Sequence, residues 1–158
     1  MKKILFLHGL NSRPGGKKPT FLKGKGFKVF NPSLPKSSFE ESMAIAQQII
    51  DDEKPDAIVG SSRGGAVAMC LNTSATECGI VLVAPAWTRF DRSQCEDVNL
   101  SSSSMIIHSR HDNIVSISDS ENLASTSGAK LICVGNDHRM SDNDALEAIL
   151  DAVMWVTR

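Results

Sequence analysis

Six short apolar runs recur along the chain at a nearly constant interval, and this spacing limits the possible folds more than any other feature. They cover residues 3–8, 27–31, 56–60, 79–84, 104–109 and 129–134, so their starts lie 23 to 29 residues apart. Such an interval has room for one strand, one helix and two loops. Most runs are continuously apolar, as in strands that are covered on both faces. The pattern predicts an α/β protein in which a mostly parallel, six-stranded, doubly wound sheet lies between two layers of helices.

The segments between the runs carry helix signals of unequal strength. Residues 38–41 read Ser-Phe-Glu-Glu, which is the pattern of a capping box at a helix start. Apolar residues at three- and four-residue steps predict a last helix over about residues 144–157. The helix after the first run has the weakest signal, because prolines delay its predicted start to about Thr20. Residues 86–103 are irregular and predict neither a helix nor a strand.

Length and composition are those of a globular protein with one core. The 158 residues predict a single domain over 1–158, and 41% apolar with 22% charged residues is ordinary for a soluble protein. A low aromatic content with no Tyr disfavours a protein that stacks on nucleic-acid bases. No apolar run approaches membrane-spanning length, so no membrane partner is predicted. We expect a monomer or a weak homodimer.

The cysteines, the histidines and the N-terminus predict a cytoplasmic protein that needs no cofactor. The four cysteines lack C-x-x-C spacing, and reduced thiols are their simplest interpretation. Two lysines precede an apolar stretch of four residues, which is too short for the apolar core of a signal peptide. No H-x-x-x-H or paired C-x-x-C spacing is present, so no metal is predicted either.

The strongest local motif runs from Val59 to Gly65, out of the third apolar run and into a segment of small residues. It has the G-x-S-x-G form of a nucleophile elbow, in which a serine occupies a strained turn between a strand and a helix. The flanking glycines let neighbouring backbone pass where a side chain would collide. Of the two adjacent serines only Ser62, and not Ser61, has the glycine spacing on both sides, so Ser62 is the candidate nucleophile.

Polar side chains follow the strands at the edge where a doubly wound sheet binds its ligands. Ser62 follows the third run, Asp112 the fifth and His138 the sixth. A serine hydroxyl is a poor nucleophile unless a base lies within hydrogen-bond reach and a third group orients that base. A serine, an acid and a histidine therefore converge on one edge of the predicted sheet, although Asp112 has a plainer interpretation as the cap of the turn that follows it.

The other histidines and acids are weaker candidates for this chemistry. His108 lies inside a predicted strand and is expected to be a core or edge residue. His111 adjoins the candidate acid, so the two side chains cannot readily face each other. His8 is expected to support its loop by hydrogen bonding. Asp91 and Asp119 follow no strand directly.

The order Ser62, Asp112, His138 matches that of α/β hydrolases, and the whole chain resembles a minimal member of that superfamily without a cap domain. The segments HGLNSRP (8–14) and GSSRGG (60–65) are most similar to the small, lidless YqiA-like esterases, with hydrolases resembling retinoblastoma-binding proteins as a second branch. The resemblance implies Ser62 as nucleophile, His138 as base and then acid, and Asp112 as the carboxylate that orients it.

The resemblance also implies an oxyanion hole and a reaction. The hole would consist of the backbone N–H groups of Leu10 and Arg63, and a helix start at Arg63 would leave its N–H unpaired near a positive dipole end. Asn11, Trp87 and Phe90 are possible pocket residues. The implied function is a carboxylesterase-type serine hydrolase that cleaves small soluble esters or thioesters in an open site, with a small molecule as its partner.

Charge is distributed unevenly, and two rival functions stay open. Residues 1–39 hold nine Lys or Arg and no acid, which indicates either a solvated basic edge or a rim that attracts an anionic substrate such as a coenzyme A thioester. A phosphate-binding doubly wound protein is one rival, because GGKK (15–18) follows the first strand, although the phosphate-loop spacing fails. A hydrolase-shaped binding protein with little or no turnover is the other.

Overall fold

The structure is a computed structural model that describes residues 1–93, 95 and 99–158. Within that part of the chain six strands form one sheet: β1 (Lys3–Leu7), β2 (Lys28–Phe30), β3 (Ala57–Ser61), β4 (Gly79–Val83), β5 (Met105–His108) and β6 (Lys130–Cys133). The helices are α1 (Lys17–Gly24), α2 (Phe39–Glu53), α3 (Arg63–Ala68), α4 (Ile117–Ser127) and α5 (Asn143–Val156), with a 3₁₀ helix at Trp87–Arg89. Each predicted apolar run therefore corresponds to one strand, although β3 extends one residue past its run, to Ser61.

The sheet is entirely parallel, and its strand order is β2-β1-β3-β4-β5-β6. The chain goes outward from β1 to β2 and then returns past β1 to β3. The direction of winding therefore reverses between the neighbouring strands β1 and β3. The loops that leave such a pair of strands diverge and open a crevice at the carboxyl edge of the sheet. The predicted doubly wound architecture is confirmed, and the reversal lies beside the serine elbow.

Two apolar cores cover the two faces of the sheet. One packs the sheet against α2, α3 and α4, and the other packs it against α1 and α5. Consecutive side chains of a central strand alternate between these cores, as Leu5 and Phe6 of β1 do. The side chains of the inner strands are buried on both faces, which explains why their runs are continuously apolar, whereas β6 at one edge leaves Ile132 exposed.

Helix boundaries follow local chemistry with one difference from prediction. The Ser38 hydroxyl accepts a hydrogen bond of 3.0 Å from the Glu41 N–H and starts α2 as the capping box predicts. Helix α1 begins at Lys17, earlier than the predicted Thr20, because Pro19 falls in the first turn, where a missing N–H costs no helical hydrogen bond. The irregular segment 86–103 holds the 3₁₀ helix, and residues 94 and 96–98 of it lie outside the described part.

The expectation of four reduced cysteines is wrong for one pair. Cys70 and Cys95 form a disulfide with Cα atoms 4.9 Å apart, which ties the turn after α3 to the segment after the 3₁₀ helix. A separation of 25 residues with no motif gave no sign of this pairing. Burial, with a contribution from Asp56, raises the pKa of the Cys78 thiol to about 12. Among the described helices, none is long and apolar enough to cross a membrane.

Candidate active site

Ser62 stands between the end of β3 and the start of α3 in a strained backbone conformation. Its φ of 54° and ψ of −116° lie outside the regions that a residue with a side chain ordinarily adopts. Neighbouring backbone holds this turn: the Ser62 N–H donates to the Val83 carbonyl at 2.9 Å, and the Ser62 carbonyl accepts from the N–H groups of Gly65 and Ala86. The turn therefore presents the hydroxyl at the carboxyl edge of the sheet.

The glycines of the motif are required by close approach rather than by unusual dihedral angles. A Cβ at Gly64 would collide with the carbonyl oxygen of Leu7, and one at Gly60 would lie 2.5 Å from the Gly64 oxygen. Helix α3 consequently packs directly on the backbone at the end of β1. That contact brings the loop after β1 beside the elbow, as the expected role of the glycines requires.

The structure brings Ser62, His138 and Asp112 into one hydrogen-bonded chain. His138 Nε2 lies 2.9 Å from Ser62 Oγ, and His138 Nδ1 lies 2.7 Å from Asp112 Oδ2. Because a carboxylate only accepts hydrogen bonds, Nδ1 carries a hydrogen, and the Nε2 lone pair of a neutral ring faces the serine hydroxyl. This arrangement lets the imidazole take the serine proton while the carboxylate stabilises the resulting imidazolium.

The Asp112 side chain is fully enclosed, and four hydrogen-bond donors lie within 2.9 Å of its two oxygens. Its side chain is 0% exposed, while that of His138 is 19% exposed. Oδ1 accepts from the N–H groups of Ile114 and Val115, each at 2.8 Å. Burial raises the pKa of this carboxyl, but the hydrogen bonds from Val115, His138 and Ile114 outweigh it, so that the pKa lies below its ordinary value. The acid is thus held ionised beside the imidazole.

His108 is a second histidine on the same carboxylate, and sequence reasoning assigned it only to the core or an edge. It is fully buried in β5, its Nε2 lies 2.9 Å from Asp112 Oδ2 and 3.0 Å from the Val115 carbonyl, and its Nδ1 lies 2.6 Å from Ser120 Oγ. Since both partners of Nε2 are acceptors, Nε2 carries a hydrogen that they share. A polar residue inside an apolar strand was the available signal, because a buried imidazole needs partners.

The loop after β1 is held by His8, as expected. Leu34 N–H donates to His8 Nε2 at 3.0 Å, so the other ring nitrogen carries the hydrogen and donates to the Gly9 carbonyl at 2.8 Å. The backbone N–H groups of Leu10 and Arg63 donate to no acceptor among the described residues. Within the described part of the chain, one N–H on the loop after β1 and one at the start of α3 are thus left without an acceptor.

The Arg63 side chain turns away from this edge into the protein. Arg63 is 2% exposed, and its Nη2 donates to the Pro35 carbonyl at 2.8 Å. The guanidinium also lies 5.6 Å and 5.7 Å from the ring centres of Phe39 and Phe90, which stack on each other. Burial lowers the pKa of Arg63. This side chain thus fixes the loop after β2 and the 3₁₀ segment around the elbow.

A cavity of about 940 Å³ adjoins Ser62 and His138. Asn11 and Phe90, two of the three candidate pocket residues, contribute to its lining. Trp87 does not belong to the lining and is a correction: its indole N–H donates to the Asp119 carbonyl on α4 at 3.0 Å, because a half-buried indole needs an acceptor. In the described part of the chain, no three His, Cys, Asp or Glu side chains form a group that could hold a metal ion.

Comparisons with known proteins give likeness of structure only. No family model matches the sequence, and no curated protein does. A predicted CIB-like hydrolase from Thermoplasma acidophilum superimposes with a TM-score of 0.76 at 18% identity, over 99% of this chain and 86% of the other. Mouse alpha/beta hydrolase domain-containing protein 10 does so with a TM-score of 0.70 at 16% identity, over 96% and 88%.

The chain has the α/β-hydrolase fold. Est1E from Butyrivibrio proteoclasticus is a further protein of similar structure, with a TM-score of 0.72 at 14% identity over 96% of this chain and 85% of that one. The predicted superfamily resemblance is confirmed at the level of the fold. Membership of the YqiA-like branch stays a prediction, since likeness at this identity does not distinguish the branches of an α/β-hydrolase fold.

Proposed function

We propose that this α/β-hydrolase-fold protein is a serine hydrolase that cleaves small esters or thioesters through an acyl-enzyme on Ser62. One observation carries the proposal: the unbroken hydrogen-bonded chain from Ser62 Oγ through His138 to Asp112, at 2.9 Å and 2.7 Å. A fold alone does not imply an activity, but this arrangement of side chains recurs on unrelated folds with the same chemistry.

The reaction proceeds in two acyl-transfer steps. Ser62 Oγ attacks the carbonyl carbon of the substrate while His138 Nε2 takes the hydroxyl proton. The tetrahedral intermediate collapses, the bond to the leaving group breaks, and His138 returns the proton to the departing oxygen or sulfur. A water molecule then attacks the acyl carbon while His138 Nε2 takes its proton. The bond from the acyl carbon to Ser62 Oγ breaks, His138 returns the proton to that oxygen, and the acid is released.

The negative charge of the intermediate would be bound by the N–H groups of Leu10 and Arg63. Both are unpaired among the described residues, and the direct packing of α3 on the end of β1 supports their proximity. The N–H of Arg63 is at the first residue of α3, where unsatisfied N–H groups favour an anion. Loss of one such donor in a serine hydrolase costs about 2.7–4 kcal/mol of transition-state stabilisation.

The size of the cavity supports a small-molecule substrate. A volume of about 940 Å³ lies near the upper end of the range for drug-sized ligands. Est1E, which is similar in fold, has also been solved with ferulic acid bound. Ferulic acid is a small carboxylic acid, and acids of this kind are the acyl products that the proposed reaction would release.

Labelling with a fluorophosphonate tests the proposal, because such probes react covalently only with an activated serine. We expect stoichiometric labelling of the wild type and none of Ser62→Ala. Ser61→Ala is the matched control, since it removes the adjacent hydroxyl, and it should still be labelled. A panel of p-nitrophenyl esters of increasing chain length should then show turnover that depends on Ser62.

Two results would contradict the proposal in different ways. A folded wild-type protein that takes up no probe has no activated serine. Labelling at Ser62 without turnover of any ester or thioester would instead favour the alternative of a hydrolase-shaped binding protein.

A further inference from the structure

The cavity beside Ser62 has a strongly uneven charge. Five cationic side chains belong to its lining, apart from Arg63, whose guanidinium is buried against Pro35; they are Arg13, Lys17, Lys18, Arg89 and Arg139. The described lining contains one carboxylate, that of Asp137. The Asp137 carboxylate is itself engaged, since Oδ1 accepts from the Arg139 N–H at 3.1 Å. The surplus of positive charge in a concave site raises the local concentration of anions.

Part of this charge is fixed at the start of α1. The loop before the helix is tied down, because Gly15 N–H donates to Asn31 Oδ1 at 2.8 Å and Asn31 Nδ2 donates to the Phe6 carbonyl at 3.1 Å. No described side chain caps α1, and its first turn contains no acid. Lys17 and Lys18 therefore present two ammonium groups at a helix start that already favours negative charge, on the wall of the cavity that holds the candidate nucleophile.

The start of α1 also touches the loop that carries His138. The Lys18 ammonium donates to the carbonyl of Arg139, the residue directly after His138. Burial lowers the pKa of Lys18 to about 8, with Asp137 acting to raise the pKa and Arg139 to lower it. The two lysines and Arg139 consequently form one basic wall on the histidine side of the cavity, which we call the α1 wall.

The leaving group and the acyl group of a substrate lie on different sides of His138. In the reaction proposed above, His138 Nε2 delivers a proton to the departing atom, so the leaving group passes over the histidine side. The acyl group stays bonded to Ser62 Oγ and extends away from that side. A negative charge bound at the α1 wall would therefore belong to the leaving group.

We propose that the α1 wall, Lys17, Lys18 and Arg139, binds a phosphate-type anion on the leaving group of an ester or thioester substrate. The inference rests on the proposed function and adds the chemical class of the substrate. A phosphate suits the wall because it offers several acceptor oxygens to two ammonium groups, a guanidinium and free N–H groups at once.

Three acetyl or acyl esters with known charges test this inference. Phenyl acetate is neutral, 4-acetoxyphenyl phosphate carries the anion on its leaving group, and monophenyl succinate carries it on its acyl group. We expect kcat/KM in the order leaving-group anion, neutral ester, acyl-group anion. Raising the salt from about 20 mM to about 500 mM should lower the advantage of the phosphate ester several-fold, because salt screens exposed charges.

The variant is Lys17→Gln/Lys18→Gln, and the matched control is Lys23→Gln/Lys25→Gln, which removes one charge from the last turn of the same helix and one from the residue after it. The ratio of kcat/KM for the phosphate ester to that for phenyl acetate should fall about tenfold or more in the variant and less than twofold in the control. Using a ratio within one protein cancels any general loss of activity. An unchanged ratio, or a preference for monophenyl succinate, would overturn the inference.

A binding measurement separates failure of this inference from failure of the proposed function. Calorimetry with 4-hydroxyphenyl phosphate, the product of the phosphate ester, uses the Ser62→Ala protein and needs no turnover. Saturable binding that Lys17→Gln/Lys18→Gln weakens about tenfold supports the α1 wall even if no ester is hydrolysed. Absence of saturable binding rejects the α1 wall even if esters are hydrolysed at Ser62.

Discussion

Replacement of His108 by leucine should separate the support of Asp112 from ordinary core packing. The imidazole is 0% exposed and contacts Asp112 Oδ2, the Val115 carbonyl and Ser120 Oγ within 3.0 Å. Leucine has a similar volume and none of these hydrogen bonds. The substitution therefore removes one of four donors from the carboxylate that orients His138.

The expected magnitude follows from these contacts. A hydrogen bond to a charged group contributes about 1.5–3 kcal/mol, and the Ser120 hydroxyl, left unpaired at 0% exposure, costs about 1–3 kcal/mol more. We expect His108→Leu to lower the free energy of unfolding in urea by about 3–5 kcal/mol. Adding Ser120→Ala should recover about 1–2 kcal/mol, because the buried hydroxyl is then gone.

Activity gives the decisive comparison, because packing alone does not predict it. We expect kcat/KM for p-nitrophenyl acetate in His108→Leu/Ser120→Ala to be about tenfold below that of Ser120→Ala, since a less firmly held Asp112 orients His138 less well. The single Ser120→Ala variant is the control, as it keeps the bond between His108 and Asp112. A double variant within twofold of that control would refute the reasoning and make His108 a packing residue only.

Four further predictions follow from the structure. Asp112→Asn should lower kcat about 10³- to 10⁴-fold, because the amide NH₂ would face histidine N–H donors. A pre-steady-state burst assay measures this loss of turnover, and near-wild-type turnover would assign the role of the acid to another residue. Gly64→Ala should lose about 4 kcal/mol or more of unfolding free energy through collision with the backbone of β1, whereas Gly24→Ala, with open space around it, should gain up to about 1 kcal/mol. Cys70→Ser should lower the free energy of unfolding by about 3.5 kcal/mol, because the unfolded chain is no longer closed into a loop by the disulfide. Unfolding of the variant is compared with that of the wild type with and without reductant, and equal stability in all samples would disprove the disulfide. Because the Lys18 pKa of about 8 lies below that of an unfolded lysine, its charge is lost as the pH rises through 8, so KM for the phosphate ester should rise above pH 8; a flat KM up to pH 9.5 would argue against it.

Much of the architecture was readable from the sequence because it depends on local chemistry. Continuous apolar runs identify strands that two helical layers cover, and the Ser38 capping box marks a helix start that its own side chain makes. The elbow is also predicted by a local pattern, since the glycine spacing around Ser62 indicates close backbone contact at Gly60 and Gly64, where a Cβ would collide. The order of parallel strands then places the candidate acid and base at the same edge without any knowledge of distances.

The parts that the sequence did not reveal are contacts between segments far apart in the chain. Cys70 reaches Cys95 only because α3 and the segment after the 3₁₀ helix fold together. Trp87 was expected in the pocket as an aromatic of the irregular segment, but an acceptor on α4 decides where it lies. Cys95 and Asp119 both lie too far along the chain from their partners for a motif or a periodic pattern to predict the contact.

The amino-acid sequence by itself determined the sheet, the elbow and the identities of Ser62, Asp112 and His138 as candidates, because periodicity and turn chemistry act over a few residues. The tertiary structure decided the second histidine on Asp112, the disulfide and the placement of the α1 wall beside His138. These depend on how separate loops meet at the carboxyl edge, where a shift of a few ångströms makes or breaks a hydrogen bond. The sequence named the candidate reacting groups, and the packing of helices on the sheet set the distances between them.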